Sequence, residues 1–368
     1  MFIEIMKKPS KPSIAFLTHD WAWGTDPLQP NGCAWYRCKL PSDQLNKRDW
    51  MTAVGFPCFN PTNGFGMLLE GDRAVYGWDI IVFKLLMQKD IHEAMKIAIK
   101  NGQKIVVDVD DWFDVLSESN RAYKATHPEL NPTSNRQIYA EMILEASAVI
   151  TSTPFLFNYY SSKRDNVFLV RNGIDIDRWK RKQFRFNRPR RIGWVGATHW
   201  RSNDLEQLAN FFGSYINLRK VYFHHSGHND AAPKAYELLK VNEKRQSRSG
   251  MAPILQYPQL FNEIDIGIVP LNNVPFNHAK SYIKGLEYAA AGIPFISSYS
   301  PEYELLAKSG IGRVAHNESE WIYNFDDLLD PQNLLNESNK NYEALNQFSM
   351  NATGDDWDAT MRVILEKI

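Results

Sequence analysis

Short apolar runs of strand composition alternate with helical stretches throughout this chain, in two successive series. Runs at 13–17, 50–55, 79–83, 104–107, 148–151 and 167–170 make the first series. Runs at 191–195, 221–223, 254–257, 265–270, 295–298 and 312–314 make the second. Helical patterns lie between them at 34–45 (interrupted near Pro41), 91–99, 137–146, 282–291, 303–309, 321–329 and 336–348. A last one at 356–368 follows a break at 351–355. Such alternation predicts an α/β fold. A length of 368 residues is large for one hydrophobic core. The expectation is two Rossmann-like domains facing across a cleft, 1–180 and 181–350, with a terminal helix at 351–368. The polar stretches 113–136 and 240–250 lack periodicity and read as loops.

The densest chemistry lies at 276–298, FNHAKSYIKGLEYAAAGIPFISS, which reads as loop, helix, turn and buried strand. Ser281 can cap the helix, Gly292 can end it in a left-handed residue, and Pro294 prevents continuation. Lys284, Glu287 and Ala291 share one helix face, and Lys280 lies just before the cap on the same side. The helix start therefore offers amides, a positive dipole end and two lysines to an anion. Glu287, further along, could accept from two vicinal hydroxyls. A phosphate site with a carboxylate about one ribose away suits a sugar nucleotide. The competing reading is a solvated Lys284–Glu287 pair on a surface helix.

This segment resembles the donor-binding signature of GT-B glycosyltransferases of the retaining, family 4-like type (glycosyl transferases group 1). The resemblance implies that loop amides meet the donor phosphates, with Lys280 and Ser281 at adjoining positions, and that Glu287 binds the ribose. Where the pattern has an earlier Glu touching the transferred sugar, this chain has Ala279. A second, partial match lies at 193–204. Gly193 and Gly196 bracket a strand end, Thr198-His199-Trp200-Arg201 form the turn, and Ser202 and Asp204 suit a helix start. Gly196 lets backbone approach a phosphate that Arg201 can reach, with His199 beside it. The pattern's usual Lys is absent there. Ser152-Thr153-Pro154 at a helix start and Arg171-Asn172-Gly173-Ile174-Asp175 after a strand resemble the end of the family's N-terminal domain. By resemblance, 1–180 takes the acceptor, 181–350 takes the nucleotide sugar, and the terminal helix crosses back to the first domain. The same resemblance implies a UDP-sugar donor, retention of configuration and no metal. It extends to enzymes encoded by tailed bacteriophages, some of which glycosylate hydroxymethylated pyrimidines in DNA.

Polar residues cluster at strand ends of the first series, where open α/β sheets bind ligands. His19 and Asp20 follow the first run. Gly32, Tyr36 and Arg37 come from the next loop and helix, with helix packing as the competing role for Tyr36 and Arg37. Asp108, Asp110 and Asp111 follow the run at 104–107. His19, Asp20, Asp110 and Asp111 are the candidates for contacting the acceptor hydroxyl or acting as base. The same carboxylates admit a metal-binding Asp-x-Asp or a turn cap. His224, His225 and His228, with Asp230 close by, fit no familiar metal-ligand spacing.

Lys+Arg and Asp+Glu are equal at 42 each, so overall charge says nothing about nucleic acid. Locally, 178–191 (RWKRKQFRFNRPRR) interleaves basic residues with Trp179, Phe184 and Phe186. That composition suits a polyanion, or an interdomain linker. Three cysteines are too few for a disulfide framework and suggest free thiols in a reducing compartment. No apolar run is long enough for a membrane span and the first residues do not resemble a cleavable leader. The expectation is a cytoplasmic protein without membrane insertion, partnered by a nucleotide sugar and by its acceptor. That acceptor is either a hydroxymethylated pyrimidine in DNA or a glycan or glycolipid. A nucleic-acid-binding protein without catalysis is the alternative class, kept open by Ala279.

Overall fold

The computed structural model describes residues 5–6, 11–22, 29–57, 68–70, 73–75, 78–198 and 203–368. Two parallel six-stranded sheets organise them. The first contains β1 (Ser13–Thr18), β2 (Thr52–Pro57), β3 (Ile80–Lys84), β4 (Lys104–Val109), β5 (Ala148–Thr151) and β6 (Val167–Leu169). The second contains β7 (Arg191–Val195), β8 (Tyr222–His228), β9 (Gln246–Gly250), β10 (Ile266–Val269), β11 (Phe295–Ser298) and β12 (Arg313–Ala315). The spatial orders are β6-β5-β4-β3-β1-β2 and β9-β8-β7-β10-β11-β12. Strand order therefore reverses between β1 and β3 in one sheet and between β7 and β10 in the other. In open α/β sheets, ligands bind outside the carboxyl ends of the strands at such a reversal. The expected Rossmann-like architecture is present in both halves.

The chain divides into two compact units. One is built from residues up to Val115, Lys124–Gly173 and Met350–Ile368; the other from Leu116–Tyr123 and Ile174–Ser349. The central strands are apolar on both faces because both faces are covered. Ile14, Phe16, Ile80, Val82, Val106 and Ile150 are all fully buried in one unit, and Ile192, Phe223, Ile266 and Ile268 in the other.

The terminal helix, Met350–Lys367, runs without the break expected at 351–355. Its Trp357, Met361 and Ile364 enter the first unit's core, with Trp357 edge-on to Phe16 at 5.6 Å between ring centroids. Burying those side chains outweighs the roughly 1 kcal/mol that Gly354 costs a helix. Pro41 likewise causes no interruption. It falls in the first turn of Leu40–Asn46, after a widened turn at Trp35–Lys39, where a missing N–H does no harm.

Three loop or strand expectations change. The stretch 113–136 contains a 3-10 turn, Phe113–Val115, and a helix, Arg121–Thr126. Within 240–250, Gln246–Gly250 forms the edge strand β9, pairing with β8 alone. An edge strand needs no apolar side chains on its open side, so its polar composition read as loop. The run at 254–257 is not a strand but part of a 3-10 helix, Ile254–Phe261.

Candidate functional site

At the second unit's reversal, β7 ends in Gly196, whose φ of +147° is poorly tolerated by residues with a Cβ. Gly227 packs so closely on it that a Cβ there would lie 3.2 Å from the Gly196 carbonyl oxygen. His225 Nε2 lies 2.8 Å from the same oxygen, and its ring lies tilted against Trp194 at 5.0 Å. Burial lowers the His225 imidazole to about 4, against the hydrogen bond to Gly196. Burial also lowers His224 to about 4, helped by the Arg191 charge. His224 is held by Ser247 and Ser226 (2.8 and 3.1 Å). These histidines thus stiffen the carboxyl end of β8. His199 and Arg201, with Ser202, lie outside the described residues.

The loop after β10 is fastened from the other side of the reversal. Asp204 is buried and accepts from the Asn272 amide (3.0 Å) and from Asn277 Nδ2 (2.6 Å). Ser298 Oγ, at the end of β11, accepts from the Leu271 amide (3.0 Å). Asp204 therefore ties the segment after β7 to the segment after β10. Lys280 Nζ lies 3.5 Å from Asp204 Oδ2 and 5.0 Å from the Phe276 ring. This cation is brought to the reversal beside a carboxylate, and Ala279 beneath it is fully buried.

The helix of the 276–298 segment spans Ile283–Ala290, with Tyr282 rather than Ser281 at its cap position. A separate turn of helix, Pro275–His278, precedes it, and this shifts the start past Ser281. The Tyr282 side chain makes no capping hydrogen bond there. Gly292 ends it at φ +70°, as its place before Pro294 predicts. Lys284 and Glu287 pair at 2.5 Å, but not as a solvated surface pair: the Glu287 side chain is only 4 % exposed. The helix packs its whole length into the unit, with Gly285 against Leu306 and Phe295. Tyr257, which sequence reasoning passed over inside a supposed strand, donates to Glu287 Oε2 at 2.9 Å.

At the first unit's reversal, Lys84 and Asp108 are register partners at the ends of β3 and β4, and both are fully buried. Arg37 clamps Asp108 with three bonds, Nε to Oδ1 and Oδ2 at 3.2 and 3.0 Å and Nη2 to Oδ1 at 2.5 Å. Its Nη1 donates to the Val170 carbonyl and to Asn172, and its guanidinium lies 4.9 Å from the Trp357 ring centroid. Lys84 lies 3.3 Å from Asp108 Oδ2 and pairs with Asp110. Burial pushes the Asp108 carboxyl up, but Arg37 and Lys84 outweigh it and hold it below its ordinary value. Arg37 is thus a buried counter-ion, and Tyr36 is packed beside it in the core. Arg37 and Lys84 thus meet the Asp-x-Asp carboxylates. Among the described residues, no group of three or more His, Cys, Asp or Glu is placed to hold a metal ion.

His19 and Asp20 leave β1 at the same edge. Asp20 Oδ2 accepts from the Ala34 amide (2.9 Å) and its carbonyl from the Asn31 amide, which draws the Gly32 loop to the strand end. Burial pushes the Asp20 carboxyl above its ordinary value, against the Ala34 amide, and the Asp110 charge adds to the rise. Burial lowers His19, against the Asp90 charge. Asp110 and Asp111 are half-buried beside them. Cys33 is pushed well above the ordinary thiol value by burial and by Asp110, so it offers no thiolate. Asp20 and Asp110 are thus close enough to feel one another's charge, and Lys84 is shared by Asp108 and Asp110. Lys84 was legible only as a charge closing an otherwise apolar strand.

The basic stretch at 178–191 is largely consumed within the second unit. Arg178 donates to the Ile254 carbonyl, Arg181 to Asn339, and Lys182 to the Asn262 carbonyl. Arg188 forks onto Asp265 at 2.8 and 3.1 Å, Arg190 stacks 4.3 Å from the Phe186 ring, and Arg191 pairs with Glu263. Burial lowers Lys182 to about 8, against the Asp265 charge. The stretch behaves as a fastened connector, because most of its cations have partners within the second unit, the buried Asp265 among them.

No protein-family model matches the chain, and no curated protein matches it. Solved structures do. Sucrose-phosphate synthase from Thermosynechococcus elongatus is similar with a TM-score of 0.67 at 12 % identity, over 96 % of this chain and 98 % of that one. A glycosyltransferase from Rickettsia africae gives 0.62 at 12 %, over 98 % and 100 %. HepE of Anabaena, solved with UDP and glucose, gives 0.62 at 13 %, over 96 % and 100 %. Among the described residues, no helix is long and apolar enough to cross a membrane. At these identities the likeness speaks for architecture alone: two parallel-sheet Rossmann-like units of the GT-B type.

Proposed function

We propose that this protein is a glycosyltransferase that moves a sugar from a nucleotide-diphosphate sugar to an acceptor hydroxyl. The observation that carries the reading is the convergence at the β7/β10 reversal. Gly196, Lys280 and the amide end of Ile283–Ala290 come from segments next to that reversal, with the buried Glu287 further along the helix. Fixed donors of this kind stabilise the charge that develops on a leaving diphosphate. Glu287 would accept from the ribose hydroxyls. HepE was solved with UDP and with UDP-glucose, and this favours a UDP-sugar here.

The acceptor hydroxyl is assigned to the first unit, at the β1/β3 reversal. Asp20 is the favoured base among His19, Asp20, Asp110 and Asp111, because burial raises its carboxyl above the ordinary value. Retention of configuration and a metal-free reaction are part of the proposal, by resemblance to family 4. A glycan or other small hydroxyl compound is the favoured acceptor class. The DNA reading drew on 178–191, and most of those cations are engaged inside the second unit.

The test is incubation with UDP- and GDP-sugars, with and without candidate acceptors, including duplex DNA carrying 5-hydroxymethylcytosine. Nucleotide release from one donor supports the transferase. A mass gain on the DNA nucleosides would restore the DNA acceptor. Glu287→Ala is expected to weaken nucleotide binding while the fold persists. Equal binding of UDP and GDP by the variant and the parent overturns the site.

A further inference from the structure

Glu287 does not stand alone in its helix. Tyr257, from the 3-10 helix Ile254–Phe261, donates its hydroxyl proton to Glu287 Oε2 at 2.9 Å. Lys284 Nζ donates to the same Oε2 and to the Tyr257 oxygen, each at 2.5 Å. The three groups close a triangle in which Tyr257 and Lys284 both donate to the carboxylate and Lys284 also donates to Tyr257. The Tyr257 ring is itself gripped, with Trp179 at 6.3 Å and Phe261 at 5.6 Å, both nearly perpendicular. Lys284 Nζ lies 5.3 and 5.9 Å from the Tyr257 and Phe261 ring centroids, so the same aromatics hold the ammonium.

A Lys–Glu pair three residues apart on a wet helix is loose and weakly favourable. This one is nearly out of water, so fixed donors decide where the carboxylate points. Both donors fall on one oxygen, Oε2, and a carboxylate offers only acceptors. A ligand that meets it must bring its own protons, as vicinal hydroxyls do.

We propose that Tyr257 is the positioning residue for Glu287. Together with Lys284 it presents the carboxylate in one orientation to the 2′- and 3′-hydroxyls of the donor nucleotide. Lys284 is thereby assigned to supporting Glu287 rather than to the diphosphate. This rests on the reading of Glu287 as the ribose contact.

The experiment compares calorimetric binding of UDP and of 2′,3′-dideoxyuridine diphosphate to the parent, Tyr257→Phe, Lys284→Met and Glu287→Ala proteins. Tyr257→Phe is expected to weaken UDP by roughly 3- to 30-fold and to leave the dideoxy nucleotide unchanged. In turnover, the donor KM rises while kcat is kept. Lys284→Met is expected to show the same selective loss, and it decides the matter if Tyr257→Phe does not fold. Equal losses for both nucleotides would reduce Tyr257 to aromatic packing and overturn the proposal, as would no loss for either. If Glu287→Ala discriminates between the nucleotides and Tyr257→Phe does not, only the positioning role fails. If Glu287→Ala binds both nucleotides as the parent does, the ribose reading itself fails.

Discussion

The two strand-order reversals use the same architecture for opposite electrostatics. At β1/β3, the charges are internal: Arg37 and Lys84 are spent on Asp108 and Asp110, and almost none of that charge is accessible. At β7/β10, the cation is less deeply buried. Lys280 is near Asp204 but at 3.5 Å, and its side chain keeps 16 % of its exposure. A fully paired buried cluster holds a scaffold rigid, whereas a loosely paired cation can exchange its partner for an incoming anion. The first reversal is a braced floor carrying a few tuned carboxyls, and the second is where the proposed function puts the donor's diphosphate.

The sharpest way to break this contrast is to unbalance the braced floor. Arg37→Met leaves Asp108 with only Lys84 in a site that excludes water. The expected loss is about 3–5 kcal/mol of stability, read by urea unfolding. A loss below about 1 kcal/mol would mean that the cluster is not a brace. The histidines of the second unit supply the next largest effect. His224 and His225 sit at about 4 when folded, against about 6.5 when unfolded. Between those values the unfolded chain binds more protons, so their contribution is intact above pH 6.5 and lost as pH falls toward 4. The loss is on the order of 2–3 kcal/mol per histidine. Denaturant midpoints at pH 7 and pH 4.5, repeated with His225→Gln, check it: the variant should show a shallower acid slope.

Lys280→Ala tests the anion side. It should weaken UDP about tenfold, near 1.4 kcal/mol, with thermal stability nearly unchanged, because Lys280 serves the ligand more than the fold. The reverse result, lost stability with intact binding, would make Lys280 a structural partner of Asp204. The smallest expected effect is at Gly292. Its φ of +70° strains any side chain, and an added Cβ would meet the Arg181 Cγ at 2.6 Å. Gly292→Ala should cost about 1 kcal/mol and shift UDP affinity slightly, since it alters only the far end of the helix Ile283–Ala290.

The alternation of apolar runs and helical patterns was enough to read two Rossmann-like halves, because burial on both faces leaves uninterrupted apolar strands. Gly292 before Pro294 likewise announced where the helix Ile283–Ala290 ends. The misreadings have a common cause. Whether Gln246–Gly250 is strand or loop depends on having β8 beside it. Whether 351–355 breaks a helix depends on the core that Trp357 enters. Ser281 read as a cap because Pro275–His278 could not be foreseen as its own turn.

The site divides the same way. Sequence alone placed Lys280, Lys284 and Glu287 in one short stretch, because helical spacing puts near neighbours together. It also placed His19, Asp20 and the Asp108–Asp111 carboxylates at strand ends, because polar residues mark where apolar strands stop. Tertiary structure alone decided which charges cancel. Arg37 reaches Asp108 from 71 residues away, Arg188 reaches Asp265 from 77, and Tyr257 reaches Glu287 from 30. Pairings at such separations follow from how strands order in a sheet, and burial then makes each pairing obligatory. Local pattern determined where charges cluster; only the folded sheets determined which of them pair.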